Sequence, residues 1–284
     1  MTAQLLDGER LAQRIKMELA ERCARLTAMG RTPGLGTLLV GGNPSSARYV
    51  EMKVEESKEI GVRSFDEHLP STASQQEIEA VIDRFNANPD VHSILVQLPL
   101  PDGVNEEQVL LRVNPEKDVD GLHPTNLGRL VMGVPGPLPC TPAGIVELLA
   151  EYKVPVEGQH VVIIGRGLTI GRPLALLMAM RRPNCNAAVT VVHTGVEDIA
   201  ALTRTADVIV SAAGVPGILT ADMVRPGIAV VGAGTSFAGK KLLSDVADDV
   251  AEKVAWITPR LGGVGPMTRA MLLRNAVLAA EKVR

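Results

Sequence analysis

The sequence is poor in aromatic side chains: two Tyr, three Phe and one Trp, or 2% of 284 residues. Proteins that stack bases on aromatic platforms need more of them. Charge of one sign is also missing. With 29 basic against 32 acidic residues and a net charge of −3, no basic field is available for a phosphate backbone or an anionic membrane. Cysteine is scarce as well. Cys23, Cys140 and Cys185 are odd in number and form no C-x-x-C, which argues against a disulfide framework and a zinc site. No apolar run approaches a membrane span, and the opening M-T-A-Q-L-L-D-G-E-R has no apolar core of signal length. These absences predict a cytoplasmic protein with no nucleic-acid or membrane partner and no metal.

What is present points to nucleotide binding. Apolar residues make up 46% and charged residues 21%, enough for two ordinary domains with full cores. The stretch Val161 to Pro173 reads V-V-I-I-G-R-G-L-T-I-G-R-P. Four apolar residues give a short buried strand, and glycines at 165, 167 and 171 lead into the apolar run from Pro173 to Leu177. Strand, glycine turn and helix together aim backbone N–H groups and the positive end of a helix dipole at a phosphate. The spacing G-x-G-x-x-x-G is one residue longer than the standard dinucleotide fingerprint. The next strand, Ala188–Val192, ends at His193-Thr194-Gly195, with no acid until Glu197. A site built for NAD usually places an acid there to hold the ribose 2′-hydroxyl. Arg166 in the loop and the Thr194 hydroxyl instead suit a 2′-phosphate, so the expected cofactor is NADP.

Periodicity gives the rest of the chain an α/β order. Residues 9–29 predict an amphipathic helix, with Leu11, Ile15, Leu19, Cys23 and Leu26 on one face. Leu35–Val40 predicts a strand. A helix capped by Ser45 is expected to run to about Ile60, with Gly61 as its stop. Val62–His68 reads as a weaker strand. Ser74-Gln75-Gln76-Glu77 is a capping-box pattern opening a helix to about Asn86. Val91–Leu98 is the next strand, and this β-α-β-α-β order implies a parallel sheet. Residues 99–141 are rich in Pro and Gly and read as active-site loops and a passage onward. Thr141-Pro142 opens a helix to about Tyr152. Strands at 161–164, 188–192, 207–211 and 227–231 follow, with helices at about 171–181, 197–204 and 220–224. A helix from Pro266 to Val283 ends the chain. The expected architecture is α/β: two α/β domains with a cleft between them, the second a Rossmann-type nucleotide-binding domain. Residues 1–140, completed by 266–284, form the first, and 141–265 the second.

Candidate chemistry sits in the first half. Tyr49 and Lys53 are four apart and share one face of their helix. Gln97 closes an apolar strand, and strand ends of parallel sheets face ligand crevices. Asp118 and Asp120 lie in a glycine-bounded loop just downstream. A lysine, an amide and an acid converging on one site could move protons.

These residues belong to longer motifs. They are Tyr49-Val50-x-x-Lys53, Val96-Gln97-Leu98-Pro99-Leu100-Pro101 and Lys117-Asp118-Val119-Asp120-Gly121 with His123-Pro124. Pro139-Cys140-Thr141-Pro142-x-Gly144, Ile164-Gly165-Arg166 with Gly171-x-Pro173, and Gly262-Gly263-Val264-Gly265-Pro266-Met267-Thr268 complete the series. In this order, over nearly the whole length, the chain resembles the bifunctional methylenetetrahydrofolate dehydrogenase/methenyltetrahydrofolate cyclohydrolase family. The resemblance implies oxidation of 5,10-methylenetetrahydrofolate by NADP, then hydrolysis of the methenyl product to 10-formyltetrahydrofolate, in one-carbon metabolism. It implies that Lys53 transfers protons in the hydrolysis, Gln97 modulates it, Tyr49 stacks on the folate and Asp120 binds the pterin's donor edge. Gly263 and Pro266 join the substrate site. Gly165, Arg166, Gly167, Gly171, His193, Thr194 and Thr235 hold the cofactor. A methenyl cation beside Lys53 would favour the neutral, proton-accepting amine, because like charges repel. A homodimer, through the nucleotide domain, is also implied. The chain departs from the family pattern at Gly167, usually Ser, at Thr194, usually Ser, at Gly232-Ala233-Gly234, usually D-V-G, and at Leu261, usually Pro.

A short-chain dehydrogenase also combines Tyr-x-x-x-Lys with a nucleotide fold, but there the glycine loop comes first. A non-catalytic NADP-binding protein would have no need of Lys53, Gln97 and Asp120. Cys140 reads as packing, and His68, His92 and His160 are assigned nothing. Asp245, Asp248, Asp249 and Glu252 read as a solvated helix face.

Overall fold

Apolar runs without polar alternation become strands covered on both faces. A computed structural model describes residues 3–238 and 241–282. In it every residue of the segments Gly34–Val40, Ser93–Val96 and Val208–Ser211 is buried. In chain order come β1 (Gln4–Leu5), α1 (Gly8–Ala28), β2 (Gly34–Val40), α2 (Pro44–Glu59), β3 (Arg63–Leu69), α3 (Gln75–Ala87) and β4 (Ser93–Val96). Next are α4 (Glu106–Arg112), α5 (Pro124–Met132), α6 (Cys140–Glu151), β5 (His160–Ile164), α7 (Gly171–Ala179) and β6 (Ala188–Val192). After these come α8 (Ile199–Thr203), β7 (Val208–Ser211), β8 (Ala229–Gly232), β9 (Thr235–Ala238), β10 (Lys241–Ser244), β11 (Trp256–Ile257) and α9 (Val264–Lys282). Short 3-10 turns occupy Ala221–Met223 and Asp248–Glu252.

The chain divides into two units, Met1–Gln13 with Pro139–Met271 and Arg14–Leu138 with Leu272–Arg284. The partition departs from the one expected at 140/141 and 265/266. The first thirteen residues go with the later sequence because Gln4–Leu5 pair in parallel with Trp256–Ile257. The boundaries at 13/14 and 271/272 fall inside helices α1 and α9.

The unit of residues 14–138 and 272–284 has a three-stranded parallel sheet in the order β3-β2-β4. Leu38 and Val40 of β2 and Ile94 and Val96 of β4 pack with Ile78, Val81, Ile82 and Phe85 of α3 and with Val109 of α4. The capping box at Ser74 forms as its sequence predicts: Ser74 Oγ accepts from Glu77 N–H, and Glu77 Oε2 accepts from Ser74 N–H at 2.7 Å. α2 opens differently. It begins at Pro44, and Asn43 Oδ1 accepts from Ser46 N–H at 3.1 Å, so Asn43 takes the capping role expected of Ser45. The stretch read as loops between 99 and 141 contains α4 and α5. Asn105 caps the first through Gln108 N–H. His123 caps the second through Thr125 N–H, with Pro124 in its first turn. Both helices are too short for periodicity to reveal them among so many turn residues.

The unit of residues 1–13 and 139–271 has six parallel strands in the order β1-β11-β8-β7-β5-β6. From β5 the chain moves to β6 on one flank and then crosses to β7 on the other. Such a reversal opens a crevice at the carboxyl ends of the strands, where dinucleotides bind. β9 and β10 form a separate antiparallel pair. The final helix starts two residues before the expected Pro266 and is described to Lys282, with the expected end at Val283 outside the described residues. The acidic run is not one solvated face. Asp248, Asp249 and Glu252 are exposed in a 3-10 turn, whereas Asp245 is fully buried.

His92 is buried, and its Nδ1 accepts from Gly34 N–H at 3.1 Å. Burial, and next the charge of Lys117, hold the ring below the usual histidine range. Above about pH 6.5 the ring is neutral whether the chain is folded or not. As pH falls below that, the unfolded chain takes up a proton that the folded ring refuses, so stability is lost until the lower folded value is passed. Replacing His92 with Asn, which can still accept from Gly34, should shrink the drop in Tm between about pH 7.5 and 5.5. Equal drops in wild type and variant would show that this ring is not the linked group.

Candidate active site

α2 places Tyr49 and Lys53 one turn apart, as their spacing requires. Lys53 is 4% exposed, and its Nζ donates to Gln97 Oε1 at 3.3 Å. The same ammonium lies 4.7 Å from the centroid of the Tyr49 ring. A buried lysine usually demands a carboxylate. Here, among the described residues, its partners are an amide oxygen and a ring face. Two further bonds hold the pair still. Gln97 Nε2 donates to Leu98 O at 2.7 Å, which fixes the amide with its oxygen towards Lys53. Gln97 N–H donates to Leu38 O at 3.0 Å, extending the β2–β4 pairing to the strand end. Ser57 Oγ donates to Lys53 O at 2.7 Å, so the lysine's own turn of helix is tied down.

Asp120 arrives on a loop that the sheet itself aligns. Ile94 and Asp118 form an isolated parallel bridge; Ile94 N–H donates to Lys117 O, and Val119 N–H donates to Ile94 O. Two residues beyond that bridge come Val96 on one side and Asp120 on the other. Lys117 anchors the loop from below, donating to the carbonyls of Phe85, Asn86 and Asn88 at the end of α3. Burial holds this amine below the usual lysine range. Asp118 is buried and accepts from Gly121 N–H, His123 N–H and Asn126 Nδ2. Asn275 Nδ2 of α9 donates to Val119 O at 2.8 Å. Asp120, Asp118 and His123 line a small cavity with Leu98 and Leu122. Sequence reading missed Asn126 and Asn275. It quoted Lys117 only as part of a motif, with no task of its own.

The glycine turn is equally specific. Gly165 has φ +115°, and a Cβ there would run into the carbonyl of Ala212. A Cβ on Gly171 would run into the carbonyl of Gly165. Both glycines are therefore needed for the strand, turn and helix to close up. α7 starts at Gly171 with Ile170 at its N-cap and no side-chain capping bond, which leaves that end to an incoming acceptor. At the end of β6, His193 Nδ1 accepts from Gly195 N–H at 3.1 Å. In a neutral ring the proton then lies on Nε2, which sits 3.3 Å from Arg166 Nη1. Two donors thus converge on one exposed spot, an arrangement that calls for an anion. Arg166, Gly167 and Thr194 are exposed around it.

Thr235 is exposed at the start of β9. Gly263 and Pro266 are buried in the elbow that enters α9. Thr268 Oγ1, 3.0 Å from Thr141 Oγ1, ties this elbow to α6. These last residues belong to the nucleotide unit, whereas Tyr49, Lys53, Gln97 and Asp120 share the other.

A parallel sheet with a phosphate-type glycine turn, in a chain whose other unit buries a lysine against an amide and a phenol, is the layout of a dinucleotide-binding enzyme. Residues 6–120 match the tetrahydrofolate dehydrogenase/cyclohydrolase catalytic domain, and residues 139–284 match the NAD(P)-binding domain of the same family. The chain belongs to the tetrahydrofolate dehydrogenase/cyclohydrolase family. It is 51% identical to the bifunctional protein FolD of Syntrophotalea carbinolica over 282 residues, 99% of this chain and 97% of that one. The crystal structure of the bifunctional FolD methylenetetrahydrofolate dehydrogenase/cyclohydrolase of Campylobacter jejuni is 42% identical. It superposes with a TM-score of 0.94 over 98% of this chain and 99% of that one. The Trypanosoma brucei enzyme, solved with NADP and an inhibitor, is 38% identical with a TM-score of 0.94 over 99% and 98% of the two chains.

Proposed function

We propose that the protein oxidises 5,10-methylenetetrahydrofolate to 5,10-methenyltetrahydrofolate with NADP and hydrolyses the product to 10-formyltetrahydrofolate. The observation that carries this reading is the buried Lys53 held by Gln97 and the Tyr49 ring, in a chain of this family. NADP supplies the hydride acceptor. The cofactor residues fit it: Gly165 and Gly171 would let the backbone come close, the uncapped start of α7 would hold the pyrophosphate, and Arg166, His193 and Thr194 would hold the 2′-phosphate. Thr235 completes the cofactor's surroundings. The unit of residues 14–138 with 272–284 binds the folate, and the other unit binds NADP.

Hydride transfer requires only that donor and acceptor carbons be juxtaposed, so no acid or base is asked of the protein in that step. Hydrolysis differs. Water adds to the methenyl carbon and Lys53 accepts the proton that the water loses. The new hydroxyl then gives up its remaining proton as the carbon's bond to N5 breaks, and N5 takes up a proton, leaving a formyl group on N10. Gln97 holds the amine in line, Tyr49 stacks on the folate, and the carboxylate of Asp120 accepts from the pterin's N–H edge.

The protein also works as a cytoplasmic homodimer in this reading. Its three cysteines are buried free thiols, as suits a reducing compartment. Burial pushes Cys23 up to about 11 and raises Cys185 as well. No helix among the described residues is long and apolar enough to cross a membrane. Among the described residues β9 and β10 pair only with each other, and an unpaired edge invites a second copy. Light scattering of the purified protein checks the dimer.

The test of function is spectroscopic. Purified protein is given methylenetetrahydrofolate with NADP and then with NAD, while reduced nicotinamide and methenyl absorbance are followed separately. NADPH formation with little lasting methenyl is expected. No turnover with either cofactor, in protein shown to be folded, would overturn the assignment.

A further inference from the structure

We propose that Asp245 is a positioning residue for the cofactor: its buried carboxylate holds the loop that leaves β7, and its main chain ties that loop to the one that leaves β8. The proposal rests on reading this unit as the NADP-binding one.

Asp245 is 0% exposed. Its Oδ2 accepts from Ser211 Oγ at 3.1 Å, from Ala213 N–H at 2.7 Å and from Gly214 N–H at 3.1 Å. Ser211 is the last residue of β7, and Ala213 and Gly214 follow it. With Gly214 at φ +69°, two successive amides turn towards one oxygen, the backbone geometry of an anion nest. The main chain of Asp245 completes the clamp. Its N–H donates to Gly234 O at 3.2 Å, and its carbonyl accepts from Leu219 N–H at 3.0 Å. Ala233 and Gly234 N–H, just after β8, both donate to Ser211 O at 2.8 Å. A Cβ on Gly234 would collide with the Asp245 carboxylate, so only glycine lets the β8 loop lie against it.

Stability alone does not call for this arrangement. Among the described residues no cation pairs with Asp245, and its Oδ1 has no hydrogen-bond partner. An apolar side chain of similar volume would fill the space without that desolvation. What the carboxylate supplies is direction. It gathers the two amides of the loop after β7, which borders the dinucleotide crevice of a reversed parallel sheet. Thr235, the exposed residue assigned to the cofactor, directly follows Gly234. Lys53 and its partners belong to the other unit, so the effect of Asp245 falls on cofactor affinity and spares proton transfer.

The test uses full-length wild type, Asp245→Asn and Ser211→Ala. Asn keeps one oxygen that can accept at this position but removes the negative charge that draws the three donors together. Three quantities are measured: the Kd for NADP by calorimetry, hydrogen exchange of the Ala213 and Gly214 amides, and hydrolysis of supplied methenyltetrahydrofolate, which consumes no NADP. Asp245→Asn should weaken NADP binding about tenfold or more and speed exchange at both amides, with methenyl hydrolysis within about twofold of wild type. Ser211→Ala, which removes one neutral donor, should weaken NADP binding about threefold. Faster exchange with an unchanged Kd would overturn the proposal, as would unchanged exchange. If Asp245→Asn fails to fold, as lost hydrolysis and melting would reveal, Ser211→Ala decides: a weaker Kd supports the clamp and an unchanged one overturns it. A wild type that binds no NADP overturns the cofactor reading itself, and its own titration distinguishes that failure from failure of the clamp.

Discussion

Replacing Lys53 with Met is expected to lower methenyl hydrolysis about a thousandfold while methylene oxidation stays within about tenfold of wild type. The two steps separate because only one moves a proton through the protein. General acid–base groups contribute roughly 10² to 10⁴ in rate, and Lys53 is the one group at this site held by both Gln97 and Tyr49. Methionine preserves most of the stem that packs inside the unit and removes the amine, so a lost hydrolysis cannot be blamed on an empty space. Methenyl absorbance should therefore rise with NADPH and persist. Gln97→Ala should act in the same direction but less, since the amine would remain while losing the oxygen that aims it. Hydrolysis by Lys53→Met at the wild-type rate would remove Lys53 from the mechanism.

Replacing Arg166 with Ala is expected to lower kcat/KM for NADP about thirtyfold and to leave NAD within about threefold. A hydrogen bond to a charged partner contributes about 1.5–3 kcal/mol, and about 1.4 kcal/mol corresponds to a factor of ten. His193 Nε2 remains as the second donor, which keeps the loss below the sum of two separate removals. The site is exposed, so raising the salt concentration should weaken NADP binding in the wild type more than in the variant. An equal loss with NAD would move Arg166 from the 2′-phosphate to the shared pyrophosphate.

How much of this was legible in the sequence depended on the range of the interaction. β5, its glycine turn and α7 could be read directly, because four apolar residues and three glycines act on their own neighbours. The Tyr49–Lys53 pair could be read as one face, because helical spacing alone decides that. The capping box at Ser74 formed for the same reason. Residues 99–141 were read less well, since α4 and α5 are short helices started by Asn105 and by His123-Pro124 among turn residues that mask them.

Tertiary structure decided the rest. The 3.3 Å contact from Lys53 to Gln97 spans 44 residues, and the bond from Asn275 to Val119 spans 156. No local pattern encodes either. Two residues of β1 form a strand only because β11 offers its edge, and that pairing groups the first thirteen residues with the later sequence. Asp245 shares its acidic neighbourhood with Asp248, Asp249 and Glu252, yet of these four only Asp245 turns inward, onto two amides of the loop after β7. By itself the sequence determined the local elements and the motifs, because backbone and near-neighbour preferences act within a few residues. Which polar groups are buried, and against what, was decided by docking, because that depends on distances between segments far apart in the chain.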